Sequence, residues 1–152
     1  MYKKIVPYED FDGNQRTEEF NFNLTPAETY ELQTSLNGGL ATLLEKIVAE
    51  QDHAQLIKYF KQIVLASYGV KSLDGREFVK NDEVRQKFVA TEAYSEIFMQ
   101  LACDTDEAVR FINGILPSKE KMEKYRKMIE ASAKKDEETA PVVAGPGNTE
   151  NK

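Results

Sequence analysis

The sequence predicts a mainly α protein: a multi-helix orthogonal bundle with an N-terminal β-hairpin and a disordered C-terminal tail. Three observations carry this. From Leu24 to Pro117 the chain is a near-continuous series of amphipathic helix patterns. Before it, Phe20, Phe22 and Leu24 alternate with Asn21 and Asn23, the period of a half-buried strand. After Lys135 the composition becomes polar, with Pro141, Gly145, Pro146 and Gly147 in a stretch too poor in apolar residues to build a core. The domain reading is hairpin plus helical body at 1–117, a charged helix at 118–135 and a disordered tail at 136–152.

The hairpin pairs Tyr2 to Tyr8 with Arg16 to Leu24. Asp12-Gly13-Asn14 supplies the turn, since Gly and Asn tolerate positive φ. Pro7 has no N–H to give a ladder, so the first arm is expected at an edge. A two-stranded hairpin is marginal alone, so its aromatic face must pack on the helices or on another subunit.

Thr25, Pro26 and Glu28 form an N-cap, a first helical residue and a capping box, opening a helix that runs to about Ser35. Asn37-Gly38-Gly39 breaks it. Leu40, Leu43, Leu44, Ile47 and Val48 mark a second helix, to about Glu50. Asp52 caps a third, to about Tyr68, carrying Leu56, Ile57, Phe60, Ile63 and Val64, with Gly69 as its C-terminal stop. Phe78 and Val79 form a short extended piece after the turn Ser72 to Arg76. Asn81 caps a fourth helix, which either breaks near Thr91 or continues past it. Tyr94, Ile97, Phe98 and Leu101 give the next stripe. Asp104 caps a helix with Val109, Phe111 and Ile112, ended by Gly114 and Pro117. Ser118 opens the last helix, whose narrow stripe is Met122, Tyr125, Met128 and Ile129.

Composition narrows the function classes. Across 152 residues, 41% are hydrophobic and 30% charged, ordinary values for one soluble domain. The net charge of −6 argues against nucleic acid as a partner, because phosphate binding needs a basic surface. No segment reaches the roughly 18 apolar residues that span a bilayer, so no membrane partner is expected, and the start lacks the apolar run of a signal peptide. The single cysteine, Cys103, rules out an intramolecular disulfide framework, and a reducing cytoplasm is the simplest compartment.

No catalytic constellation emerges. His53 is the one histidine and has no second ligand nearby for a metal. Cys103, just before a helix start, reads as a small buried core residue. Asp10, Asp12 and Asn14 resemble the opening of a calcium loop, but Gln15 stands where that loop needs glycine, and the hairpin turn accounts for them. Gly38-Gly39 lacks the strand and lysine of a phosphate loop. The expectation is a non-enzyme with no cofactor and no metal. Leu43, Ile47, Phe60, Val64, Tyr94 and Phe98 are the residues expected to line the core or a groove for a partner helix. Phe20, Phe22, Met122, Tyr125 and Ile129 are candidates for self-association.

These segments follow one another in a familiar order: YKKIVPYEDFDGNQRTEEFNFNLTPAE, then GGLATLLEKIVAEQD, IKYFKQIVLASYGVKSLDGREFVKNDEVRQKF and TEAYSEIFMQLACDTDEAVRFINGILP. Over about Tyr2 to Pro117 the chain resembles the tail assembly chaperones of long-tailed bacteriophages, especially the siphophage type from Gram-positive hosts. The resemblance implies binding of the tape measure protein, kept soluble in the host cell cytoplasm until tail tube subunits polymerise around it, and absence from the mature virion. It also implies a longer, frameshifted form that recruits the tail tube protein. Many copies coating one client would make a homo-oligomer useful. The alternative is a small structural tail or head-completion protein retained in the virion.

Overall fold

A computed structural model describes residues 1–36, 38–49 and 53–139, without the side chains of residues 53, 138 and 139. The chain divides into two compact units, Met1–Pro117 and Ser118–Lys152. The expected disordered segment from Ala140 onward lies outside the described residues, as do Asn37, Glu50 and the cap Asp52.

In the first unit the hairpin strands are β1 (Tyr2–Glu9) and β2 (Gln15–Phe22). They pair antiparallel, with Tyr2 opposite Phe22 and Glu9 opposite Gln15. The turn is held by Asp10, whose carboxylate accepts the N–H groups of Asp12 and Asn14 at 3.0 and 2.9 Å. Asp10 also pairs with Arg16 at 2.6 Å, and chiefly this bond holds its carboxyl down at about 2. The residues that resembled a calcium loop are thus bound into a turn. The Asp10 N–H donates to Asn14 O, so alternation directs the bonds of Tyr8, Val6, Lys4 and Tyr2 toward β2. Pro7 therefore has its nitrogen on the outer edge, where a missing donor costs the ladder nothing.

Among the described residues of this unit, the helices are α1 (Pro26–Ser35), α2 (Gly39–Val48), α3 (His53–Ser67), α4 (Asp82–Val89), α5 (Glu92–Cys103) and α6 (Thr105–Ile115). The Thr25 capping box forms as expected, with both reciprocal bonds to Glu28. Asn81, Thr91 and Asp104 each cap the following helix through a side-chain oxygen. Asp104 also closes α5, so one residue ends one helix and starts the next.

The sheet is larger than a hairpin. Tyr68–Lys71 forms β3 and Phe78–Val79 forms β4, giving the order β1-β2-β3-β4. The expectation that α3 reaches Tyr68 and stops at Gly69 is corrected here. Phe22 pairs with Tyr68 and Asn21 with Gly69, so tertiary pairing with β2 takes these residues out of the helix. Gly69 serves close approach: a Cβ there would stand 2.7 Å from the Phe78 ring and from Lys80 Cγ.

Gly114 is the second correction. It lies inside α6 rather than ending it, and Leu116 is the C-cap. A Cβ at Gly114 would fall 2.5 Å from Tyr2 Cδ2 and 3.2 Å from Tyr2 Cβ. Here the glycine is required by the hairpin seated on the helix. Gly114→Ala is expected to lower stability by about 1 kcal/mol: overpacking at about 1–3 kcal/mol outweighs the roughly 1 kcal/mol gain in helix propensity. Thermal unfolding followed by circular dichroism checks the sign; a rise in midpoint would show that the Tyr2 ring moves aside freely.

The core of this unit centres on Phe22, which is fully buried. Its ring lies 5.2 Å from Phe111, 5.7 Å from Tyr68 and 6.0 Å from Phe88, tilted or edge-on in each case. Tyr68 and Phe88 stack at 3.9 Å. Such pairs add to the burial of large apolar area. Strand and helix are further tied where Leu24 N–H donates to Ile115 O and Asn23 N–H to Ser67 O.

The second unit contains α7 (Lys119–Thr139). Ser118 accepts the Lys121 N–H at 3.3 Å at its start. The helix passes the expected end at Lys135 and continues through the acidic residues, since nothing from Asp136 to Thr139 forbids helix and the first breaker is Pro141.

Candidate functional site

The first unit holds a groove of about 540 Å³ formed by α2, α3 and the α5–α6 corner. Its floor is Ile47 of α2, Leu56 and Phe60 of α3, Leu101 of α5 and Ala108 of α6. All five are buried at the base. The rim is Ile57, Ala102, Cys103 and Thr105. Ile57 is 38% exposed and Cys103 is also exposed.

Local sequence explains how the groove is made. The stripes of α2 and α3 supply one wall each, at i, i+3 and i+4 spacing. The other wall exists because Asp104 turns the chain sharply between α5 and α6. That turn brings Leu101 and Ala108 to one place and leaves the thiol of Cys103 outside. The expectation that Cys103 is a buried core residue is therefore corrected: it ends α5 on the rim.

The side chains that line the groove are mostly apolar, with a thiol and a threonine hydroxyl at its edge. No carboxylate, imidazole or amine reaches into it from the described residues. It can shed apolar side chains from water, and among the described residues its lining holds no acid–base pair. Among the described residues there is no cluster of three His, Cys, Asp or Glu able to hold a metal ion. No described helix is long and apolar enough to cross a membrane. The side chain of His53 lies outside the described residues.

The sequence candidates disperse in the structure. Ile47 and Phe60 line the groove, and Leu43 and Val64 are buried without lining it. Tyr94 and Phe98 are half-buried on α5 and extend the aromatic chain instead, with Tyr94 edge-on to Phe88 at 5.3 Å and 6.0 Å from Phe98. Phe20 and Phe22, named for self-association, are buried inside the chain, where β2 packs against Tyr68 and Phe88. Met122, Tyr125 and Ile129 lie on α7. The rim residues Ala102, Cys103 and Thr105 escaped the periodicity argument because they lie at a helix junction, beyond the end of any stripe.

The polar work in the first unit is structural. Glu28 closes its capping box and accepts from Lys80, whose ammonium also reaches Asn23 O at 2.9 Å. Burial pushes the Glu28 carboxyl up, but Lys80 and the Thr25 N–H outweigh it and leave it below its ordinary value. Glu107 accepts from Lys4 and from the Tyr2 hydroxyl, the latter at 2.7 Å, and these bonds depress its carboxyl likewise. The Tyr2 hydroxyl is pushed up by burial and by that same carboxylate.

A second concavity of about 410 Å³ lies beside the β3–β4 hairpin, between Tyr68, Val79, Val84 and the bases Lys71 and Lys87.

The sequence matches one protein family, described as phage tail assembly chaperone, over residues 1–150. No curated protein and no solved structure matches the chain.

Proposed function

The chain belongs to the phage tail assembly chaperone family, and we propose that it binds the tape measure protein of its phage and keeps that client soluble until tail tube subunits polymerise around it. The observation that carries this reading is the groove between α2, α3 and the α5–α6 corner, floored by apolar side chains and open at Ile57 and Cys103. A long helical client presents apolar anchors at i, i+3/i+4 and i+7, and a groove between helices is where such a face docks. The acidic overall charge supports the reading, because like-charged complexes resist association with one another. On this reading the protein acts by stoichiometric binding in the host cytoplasm, without turnover, and leaves before the virion matures. A longer form that recruits the tail tube protein, and several copies per client, belong to the same proposal.

Co-expression with the tape measure protein of the same phage is the test. A soluble, co-purifying complex is expected only when this chain is present. Ile57→Glu is expected to abolish the complex while leaving the fold intact, since a carboxylate on the rim stays solvated in the free protein but must be desolvated under a client helix. Cys103, the single cysteine, offers an independent readout: a fluorescent label there should shift on binding and be shielded from quenchers. An insoluble tape measure protein in both cultures, with this chain found in purified virions, would replace the proposal with the structural alternative.

A further inference from the structure

We infer that the outer edge of β2 is a contact between copies of this chain: Gln15–Glu19 pairs antiparallel with the same residues of a second copy, about a two-fold axis at Thr17. The edge is open. β3 pairs with β2 only at Asn21 and Phe22, and its residues Val70 and Lys71 pair with β4. The residues from Gln15 to Glu19 are exposed, and their strand partner is β1 alone. The direction of the bonds follows from alternation. The Asn23 N–H donates to Ser67 O, on the side away from β1. The N–H and C=O groups of Asn21, Glu19, Thr17 and Gln15 therefore point the same way. Asn21 meets Gly69 there. Among the described residues no backbone group meets those of Glu19, Thr17 and Gln15.

The side chains select the occupant and its register. Outward-pointing residues must face outward-pointing residues, so the possible registers differ by slips of two positions. Centred on Thr17, the pairing sets Arg16 opposite the partner's Glu18, Gln15 opposite the partner's Glu19, and the two Thr17 residues opposite each other. Opposite charges and facing threonines favour such a pair. A slip one way sets Arg16 on Arg16, and a slip the other way sets Glu18 on Glu18; like charges directly opposite oppose both. An apolar strand of another protein would cover Arg16 and Glu18 with nothing to match them. The β1 edge of the sheet offers no equal site, because Pro7 stands in its outward row and blocks strand pairing. Each copy carries a net charge of −6. Repulsion beyond a Debye length of about 8 Å is screened at physiological salt, whereas the paired charges act in contact. A short strand pair without an apolar centre buries little area, so the contact is transient in the free protein. The two-fold axis closes it at a pair.

The test is disulfide trapping of the full chain in a Cys103→Ser background, with one new cysteine at a time and oxidised glutathione as the oxidant. Thr17→Cys sets two thiols opposite each other at a Cα separation of about 5.5 Å, within reach of a disulfide. Gln15→Cys and Glu19→Cys each leave their two thiols roughly 14 Å apart along the strands, out of reach. Thr17→Cys is expected to give covalent dimer at least about tenfold faster than either. Arg16→Glu or Glu18→Arg, added to Thr17→Cys, should each slow that step by about tenfold. Mixing these two proteins should restore it as a heterodimer, since every facing pair is then of opposite charge, a rescue that misfolding of either variant could not produce. Ile57→Glu should leave the trapping rate unchanged, so the edge and the groove stand or fall separately. Equal rates for the cysteines at Gln15, Thr17 and Glu19, a mixture that does not recover, or faster trapping through Ile5→Cys on the outer edge of β1 would each overturn the inference.

Discussion

Phe22→Ala is expected to destabilise the protein by about 3–5 kcal/mol, the range for removing a buried aromatic ring. Phe22 is fully buried, and its ring meets Tyr2, Tyr68, Phe88 and Phe111. These four come from β1, β3, α4 and α6, elements distant in sequence, so collapse around the cavity would have to move several of them together. Against a typical domain stability of about 5–15 kcal/mol, such a loss is a large fraction of the whole. Urea unfolding should show a much lower midpoint with an unchanged slope. Phe22→Leu retains most of the volume and should cost under about 1.5 kcal/mol. Equal losses for both variants would mean that the aromatic geometry, rather than the space filled, holds the sheet to the helices.

The second large effect is expected at Glu107. Its carboxylate joins the hairpin to α6 by accepting from Tyr2 and Lys4, with Arg110 at 3.6 Å on the other oxygen. The Lys4 side chain is only 11% exposed. Glu107→Ala leaves that ammonium largely out of water with no counter-charge, and the expected cost is about 3 kcal/mol. Replacing both partners, Lys4→Met with Glu107→Leu, should recover much of the loss, because the penalty comes from the stranded charge. The pH dependence follows from the same carboxyl. Its folded pKa lies below its unfolded value, so its contribution is fully present above the unfolded value of about 4.3 and fades as pH falls through the folded pKa. Glu28 behaves in the same sense. Stability measured from pH 6 to pH 2 should therefore fall in acid. Glu107→Gln should flatten that fall, and an unchanged acid limb would show that other carboxylates govern it.

Helix positions were legible because their signals are local. Thr25, Asn81 and Asp104 cap helices through bonds to residues three positions on, and the α2 and α3 stripes follow from a 3.6-residue period. The hairpin was legible for the same reason, with alternation and turn residues inside one short stretch. The junction at Asp104 was legible as a cap but not as a wall of the groove. Nothing within one helix tells where its last turn will lie once the next helix folds back.

Both misread glycines, and the misread cysteine, have this cause. Gly69 and Gly114 carry the same local signal as a helix stop. At Gly69 the pull of β2 ended α3 one residue early and made a strand, and the side chains of Phe78 and Lys80 claimed the space of a Cβ. At Gly114 the ring of Tyr2, over a hundred positions away, claimed it, and the helix ran on. Cys103 read as a small core residue but was turned outward by a corner.

The sequence by itself determined the helices, their caps, the hairpin and the family, since each rests on spacing within a few residues or on the order of segments along the chain. The tertiary structure alone decided the four-stranded sheet, the aromatic centre at Phe22 and which apolar residues remain open as a groove. Those depend on which distant surfaces exclude water from one another, and a side chain's hydrophobicity is the same whether it ends in the core or on the rim.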